Sequence, residues 1–181
     1  QVERVSQIAR ELETIGPALT PLIEHSLHVG RRIRRQTKVS EGAVSVASVA
    51  VSLAKELFDS LSDKKVLVLG TGTMSAHTIR HLLKAGTNQI TVASRTYEHA
   101  VELAEKYKAQ AVSFDNWQNI FFESDIIISS TAAPDPIVSR RTVEYAMSRR
   151  NKKPLFLIDI AVPRDIEAEV AEIPDVHLYN I

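Results

Sequence analysis

The stretch Lys65–Ser75, KVLVLGTGTMS, decides the fold of this chain. A short apolar run typical of a buried strand leads into Gly70 and Gly72, and apolar residues recur at helical spacing from Ile79 onward. Strand, tight glycine turn and helix in this order are typical of the phosphate-binding unit of dinucleotide-binding domains. A plain strand-to-helix turn without a ligand is the alternative interpretation.

Each position of this turn has a predicted task. Gly70 lets the chain turn sharply off the strand, and Gly72 lets the backbone approach a pyrophosphate at the positive end of the next helix. The third position, usually glycine, is the small residue Ser75, which weakens the match. The predicted pyrophosphate-binding residues are Gly70, Thr71, Gly72, Thr73, Met74 and Ser75.

The amino-acid composition excludes some classes of function for this chain. The 181 residues carry a formal net charge of zero with 44% hydrophobic residues, which is ordinary for a globular protein and gives no global field that would recruit nucleic acid or membrane. The chain has no cysteine, which excludes disulfides, thiolate metal sites and thiol nucleophiles within it. Without an apolar run of about 18 residues or a signal peptide, we expect a cytoplasmic protein with no membrane contact.

Short apolar runs alternate with helical patterns from Lys65 onward, whereas the first 60 residues are helical. The predicted strands are Val66–Leu69, Ile90–Ala93, Ala111–Phe114, Asp125–Ser129, Leu155–Asp159 and Val176–Tyr179; the predicted helices of this part are Met74–Lys84, Tyr97–Tyr107, Trp117–Phe122 and Ser139–Arg149, after an earlier one at Ala43–Phe58. The pattern predicts an α/β fold: a Rossmann-like doubly wound, mainly parallel six-stranded sheet of order 3-2-1-4-5-6, preceded by a helical segment. We place the helical segment at residues 1–40 and the Rossmann domain at 41–181.

The end of the second strand, Ser94-Arg95-Thr96, indicates which dinucleotide is bound. An acidic residue here would bind the ribose 2′-hydroxyl of NAD, whereas a guanidinium suits a 2′-phosphate because its planar fork matches phosphate oxygens. The residues therefore predict NADP(H), with Ser94, Arg95 and Thr96 at the 2′-phosphate. A surface arginine beside a helix capped by Thr96 is the alternative.

Two further loops are expected at the same edge of the sheet, where ligands of open α/β sheets bind. Small residues after the fourth strand, Ser130, Thr131 and Ala132, would let a nicotinamide ribose approach. After the fifth strand, Asp159, Ile160, Ala161 and Val162 would frame the same end of the cofactor. Asp159 is either an acid–base group or, more often in such sheets, an anchor for loop backbone.

Two other clusters allow more than one interpretation. The run RRIRR, residues 31–35, fits phosphates of a nucleic acid or a solvated helix end. His77 and His81 lie four residues apart on one helix, a spacing that permits metal chelation, but no third ligand is evident and we assign no metal.

Several runs together resemble glutamyl-tRNA reductase. They are SLHVGRRIRRQT, GAVSVASVAVSLA (Gly42–Ala54), VLVLGTGTMS, ASRT, DIIISSTAAPDPI (Asp125–Ile137) and PLFLIDIAVPRDIE (Pro154–Glu167), and they cover nearly the whole chain. That family uses NADPH to reduce the activated glutamate of glutamyl-tRNA to glutamate-1-semialdehyde, the start of a route to tetrapyrroles such as porphyrin and heme. Ser75 in place of the family's usual glycine and Asp135 in place of a common histidine are departures.

The resemblance implies that this chain is the NADPH-binding domain with the last helices of a catalytic domain. The family's thioester-forming cysteine would lie upstream and its dimerisation helix downstream, so we expect no catalytic residue here and no activity from this chain alone. Gln1 matches a substrate-binding glutamine of the family. Glutamyl-tRNA, a second copy in a homodimer and glutamate-1-semialdehyde aminomutase are the implied partners of the full-length protein.

Two other functions remain open. One is a stand-alone NADP-dependent reductase similar to shikimate dehydrogenase, which would need a lysine–aspartate catalytic pair that we do not find. The other is a non-catalytic Rossmann module with an empty site, because the fold alone does not fix function.

Overall fold

The computed structural model describes residues 2–36 and 46–180. The chain divides into two compact units, Gln1–Val44 and Ser45–Ile181. The predicted boundary between residues 40 and 41 lies outside the described residues, as does Gln1.

The first unit is a pair of helices, α1 (Val2–Glu11) and α2 (Leu19–Gln36). Gly16 and Pro17 lie between them, and exposed ion pairs Arg10–Glu24 and Arg31–Glu3, each 3.0 Å long, join the helices. The RRIRR run belongs to the last turns of α2. The apolar side chains of α1 lie largely at the surface, as Val2 and Val5 illustrate at 65% and 64% exposure.

The second unit contains the sheet. Its helices are α3 (Val46–Leu57), α4 (Thr73–Lys84), α5 (Tyr97–Tyr107), α6 (Trp117–Glu123) and α7 (Arg140–Ser148), and its strands are β1 (Lys65–Leu69), β2 (Gln89–Ser94), β3 (Gln110–Ser113), β4 (Ile126–Ser129), β5 (Leu155–Asp159) and β6 (Val176–Asn180). All pairings are parallel and the order is β3-β2-β1-β4-β5-β6, as predicted. The order reverses between β1 and β4.

The core has two layers, one on each face of the sheet. Alternate side chains of β1 point to opposite faces: Val66 and Val68 pack with α3, α4 and α5, whereas Leu67 and Leu69 pack with α6 and α7. Strands covered on both faces are continuously apolar, which explains why uninterrupted hydrophobic runs in the sequence predicted β1, β4 and β5. Helix α3 is buried along Ala47, Ala50 and Ala54.

The observed ends of the predicted strands and helices from Lys65 onward agree with the predicted ones or differ by one residue. The predicted start of α3 at Ala43 lies outside the described residues. The prediction was wrong at Phe114, where β3 has already ended and a 3-10 helix, Phe114–Asn116, begins. A second short 3-10 helix, Ala168–Glu172, was not predicted, because five residues are too few to display a helical period.

A buried guanidinium organises the amino ends of β4 and β5. Arg150 donates to the carbonyl of Ser124, to Asp125 Oδ1 at 3.1 Å and to the carbonyl of Pro154 at 2.9 Å. Burial lowers the pKa of Arg150, and the charge of Asp125 opposes that change. Asp125 also accepts from the N–H of Lys65 at 3.1 Å, so one ion pair links the starts of three strands.

Candidate functional site

A cleft of about 670 Å³ opens at the carboxyl edge of the sheet, where the strand order reverses. Its walls are the glycine turn after β1, the end of β2 with the first turn of α5, and the loop after β4. The lining residues are Gly70, Thr71, Gly72, Ser94, Arg95, Thr96, His99, Phe114, Ser130, Thr131, Ala132, Ala133, Pro134, Asp135, Pro136 and Ile137. Open α/β sheets bind their ligands at this kind of switch point.

Gly70 is required at its position for two reasons. Its φ of +102° lies in a region that side chains rarely adopt. A Cβ built there would lie 2.3 Å from the carbonyl oxygen of Ser130, so the glycine turn and the loop after β4 are in direct backbone contact. The N–H of Gly70 donates to the carbonyl of Ala93 at 2.8 Å, which fixes the turn against β2 as well.

Helix α4 begins without a side-chain cap. Gly72 is its N-cap residue with extended backbone (φ −68°, ψ 175°), no side chain caps the helix, and its first turn holds no acidic residue. The N–H groups of an uncapped first turn need acceptors, and the helix dipole favours a negative charge in front of them. This end of α4 therefore suits a pyrophosphate.

Not every residue of the predicted turn lines the cleft. Thr73, Met74 and Ser75 are absent from its walls. Ser75 is fully buried, and its Oγ has no hydrogen-bond partner. The residue at the third position of the glycine motif therefore contributes to the packing of α4. A small side chain fits there, although its hydroxyl has no hydrogen-bond partner.

The second wall contains the predicted 2′-phosphate residues. Thr71 Oγ1 lies 3.4 Å from Ser94 Oγ, which joins the glycine turn to the end of β2. Arg95 is exposed, and within residues 2–36 and 46–180 no carboxylate forms an ion pair with it. Thr96 is the N-cap residue of α5 but makes no side-chain cap, so the alternative of an arginine beside a capped helix start lacks its capping bond.

Two lining residues in this wall were missed from the sequence. His99 lies in the first turn of α5, and the half-buried Phe114 follows β3 directly. The position of His99 one turn after the β2 end was a usable signal, because the start of a helix at this edge of the sheet faces the ligand. Phe114 was assigned to the strand, and this concealed its place at the rim.

The loop after β4 forms the third wall, and more of it lines the cleft than predicted. Ser130, Thr131 and Ala132 line the cleft as expected, and the lining continues through Ile137. Asp135, one of the two departures from the resembling family, puts an exposed carboxylate into this wall.

A buried carboxylate holds this loop in place. Asp165, which has no exposed surface, accepts from Ser129 Oγ at 2.6 Å and from the N–H and Oγ1 of Thr131 at 2.8 and 2.5 Å. Asp165 was not predicted as a site residue, because nothing at its position in the loop after β5 indicates a contact with Thr131, 34 residues earlier in the chain.

The residues after β5 lie outside the cleft walls. Asp159 accepts from the N–H of Ala161 at 3.0 Å and of Ile166 at 2.9 Å, which confirms the backbone-anchor interpretation. Burial raises the pKa of the Asp159 carboxyl, and the nearby charge of Asp165 adds to the rise against these hydrogen bonds. Ile160 and Ala161 are buried, whereas Val162 is 84% exposed.

In the part of the chain that the structure describes, three or more potential metal-ligating side chains nowhere come together. Over the same residues, the helices are too short or too polar to cross a bilayer.

The parallel sheet of order 3-2-1-4-5-6, the glycine turn and the uncapped helix define a Rossmann domain of the type that binds nicotinamide dinucleotides. The model of one protein family, described as Shikimate / quinate 5-dehydrogenase, matches residues 52–181. The chain belongs to this family.

The relatives that match the whole chain are glutamyl-tRNA reductases, which confirms the resemblance found in the sequence. The one from Syntrophobacter fumaroxidans is 42% identical over 181 residues, which are 100% of this chain and 39% of that protein. The solved structure of the one from Methanopyrus kandleri has a TM-score of 0.72 at 40% identity, over 99% of this chain and 45% of that chain. The nucleotide binding domain of the one from Thermoplasma volcanium has a TM-score of 0.58 at 25% identity, over 76% of this chain and 87% of that chain. The chain thus spans about two fifths of the length of the curated relatives it matches.

Proposed function

We propose that this chain is the NADPH-binding part of a glutamyl-tRNA reductase. The observation that carries the proposal is the cleft at the switch point, which has an uncapped helix start on one side and the exposed Arg95 on the other. Similarity over the full chain to glutamyl-tRNA reductases extends the proposal from the cofactor to the enzyme. It favours this enzyme over a stand-alone reductase similar to shikimate dehydrogenase.

The proposed cofactor position follows from the three walls. The pyrophosphate lies at residues 70–75, where the first N–H groups of α4 meet its charge. The 2′-phosphate accepts from Arg95, with Ser94 and Thr96 beside it. The nicotinamide end lies near residues 130–132, with residues 159–162 at the same edge.

The part of this chain in the reaction is to bind and orient. Bound NADPH supplies the hydride that reduces the activated carboxyl group of glutamyl-tRNA to an aldehyde. We assign no catalytic residue to this chain, and Gln1, the proposed substrate contact, lies outside the described residues. Glutamyl-tRNA as substrate, the homodimer, the aminomutase partner, the inactivity of this chain alone and the cytoplasmic location are proposals about the full-length protein.

Titration calorimetry with NADPH and NADH in parallel tests the cofactor assignment. We expect the chain to prefer NADPH, and Arg95→Glu to weaken NADPH binding about 10- to 100-fold, because a charge-assisted hydrogen bond of about 1.5–3 kcal/mol is replaced by repulsion. NADH binding should change by less than about threefold, since it carries no 2′-phosphate.

Arg141→Glu is the matched control, because Arg141 is exposed on α7 and does not line the cleft. It should leave both affinities unchanged. Equal losses for NADPH and NADH in Arg95→Glu would remove Arg95 from the 2′-phosphate site. Failure of the unmodified chain to bind either dinucleotide would overturn the proposal in favour of the non-catalytic module.

A further inference from the structure

We propose that Asp165 is a positioning residue for the nicotinamide end of the cleft. It does not line the cleft and acts through the loop after β4, residues 130–137. The inference rests on the proposed function for the identity of its ligand. Its evidence is a set of contacts that hold both ends of that loop.

The side chain of Asp165 holds the start of the loop. Three donors converge on its two carboxylate oxygens: Ser129 Oγ and the Thr131 N–H on Oδ2, and Thr131 Oγ1 on Oδ1. A carboxylate without exposed surface is expensive to bury unless hydrogen bonds replace its water. These bonds therefore satisfy the charge and fix Thr131 at the same time.

The backbone of the same residue holds the end of the loop. The carbonyl of Asp165 accepts from the N–H of Ile137 at 2.7 Å and of Val138 at 3.0 Å. The carbonyl of Val138 in turn accepts from the N–H of Glu167 at 3.1 Å. One residue thus closes a loop that forms a whole wall of the cleft.

Contacts inside the loop carry this constraint to the ligand position. Thr131 Oγ1 donates to Asp165 and accepts from the N–H of Ala133 at 3.1 Å, so this hydroxyl serves as an internal link. Next to it, the carbonyl of Ser130 lies against Gly70. A displaced Thr131 would therefore move the wall of the cleft and its contact with the glycine turn together.

The test compares two ligands on one chain. NADPH reaches the loop after β4 in the proposed position, whereas adenosine 2′,5′-bisphosphate has the 2′-phosphate and lacks the nicotinamide riboside. We expect Asp165→Ala to weaken NADPH binding about tenfold and to leave adenosine 2′,5′-bisphosphate within twofold of the unmodified chain. Asp165→Asn keeps one acceptor oxygen and should recover part of the NADPH affinity.

The control and a milder variant separate positioning from folding. Asp59→Ala removes an exposed carboxylate that does not line the cleft and should change neither affinity. If Asp165→Ala does not fold, Ser129→Ala removes one donor to Asp165 at a residue that does not line the cleft, and it should give the same selective loss at about threefold. Equal losses for both ligands, or no loss for either, would overturn the inference.

Amide hydrogen exchange decides the inference even if the unmodified chain binds no dinucleotide, an outcome that overturns the proposed function alone. Asp165→Ala should then speed exchange within residues 129–138 and leave β1 and β2 unchanged. Unchanged exchange in residues 129–138, or acceleration spread over the whole sheet, would show that Asp165 does not position this loop.

Discussion

Replacing Gly70 by alanine should destabilise the fold, because the added methyl group enters the contact between the glycine turn and the loop after β4. The added methyl group meets two obstacles. The backbone is held at φ +102°, and the Cβ would lie 2.3 Å from the carbonyl oxygen and 2.9 Å from the carbonyl carbon of Ser130. Both neighbours are backbone atoms of a loop that Asp165 holds, so they do not move aside as a flexible side chain would.

The magnitude has three contributions. A residue held in a rare backbone region costs about 1–3 kcal/mol, and volume forced into a packed region costs about 1–3 kcal/mol more. The reduced freedom of the unfolded chain offsets about 0.4–1 kcal/mol. The free energy of unfolding should therefore fall by about 1–5.5 kcal/mol, which in a chain of this length lowers Tm by roughly 2–20 °C.

Urea unfolding of three variants isolates these contributions. Gly86→Ala shares the positive φ, +99°, but its Cβ would enter open space, so it should lose only about 1–2 kcal/mol. Gly72→Ala has neither obstacle and should stay within about 0.5 kcal/mol, while its methyl group at the proposed pyrophosphate position weakens NADPH binding. If Gly70→Ala lowers the free energy of unfolding no more than Gly86→Ala does, the clash with Ser130 is refuted.

Two further variants test buried polar groups. Ser75→Ala removes a hydroxyl without a hydrogen-bond partner from a helix and should raise the free energy of unfolding by roughly 1 kcal/mol. A loss of stability in urea would mean that the hydroxyl is hydrogen-bonded. The raised pKa of Asp159 lets the native state keep a proton that the unfolded chain loses near pH 4. Its contribution to stability is therefore full below that pH and declines as pH rises through the folded-state pKa, so Asp159→Asn should flatten stability profiles there, and identical slopes would contradict the assignment.

The order of the sheet was predictable because each of its strands and helices produces a recognisable pattern within a short stretch of sequence. Strands covered on both faces are apolar throughout, as in the buried run Leu155–Ile158, and each is separated from the next by a helix or a turn. The glycine turn and Arg95 were predictable because they follow strand ends directly. Their place in one cleft then follows from the parallel order alone.

The support of the cleft was not predictable, because it depends on contacts between distant segments. Asp165 and Thr131 are 34 residues apart, and neither position marks the other in the sequence. Ser75 shows a different limit of the sequence. The glycine motif identified its position, but the sequence does not tell whether the side chain there faces a ligand or is buried, as it is in the structure. Val162 likewise lies at the predicted edge of the sheet and outside the cleft.

The contact between Gly70 and Ser130 has a consequence for the order in which the protein matures. Strands β1 and β2 neighbour each other in sequence, whereas the β1–β4 pair closes a loop comparable to the 60 residues that separate Lys65 from its partner Asp125. Pairings across such separations form slowly, because the chain loses entropy before contacts compensate. A ribosome-bound chain that has emerged only through β3 thus has two of the three walls of the cleft and lacks the loop after β4. Dinucleotide added during refolding should therefore stabilise only molecules that have completed the β1–β4 pairing.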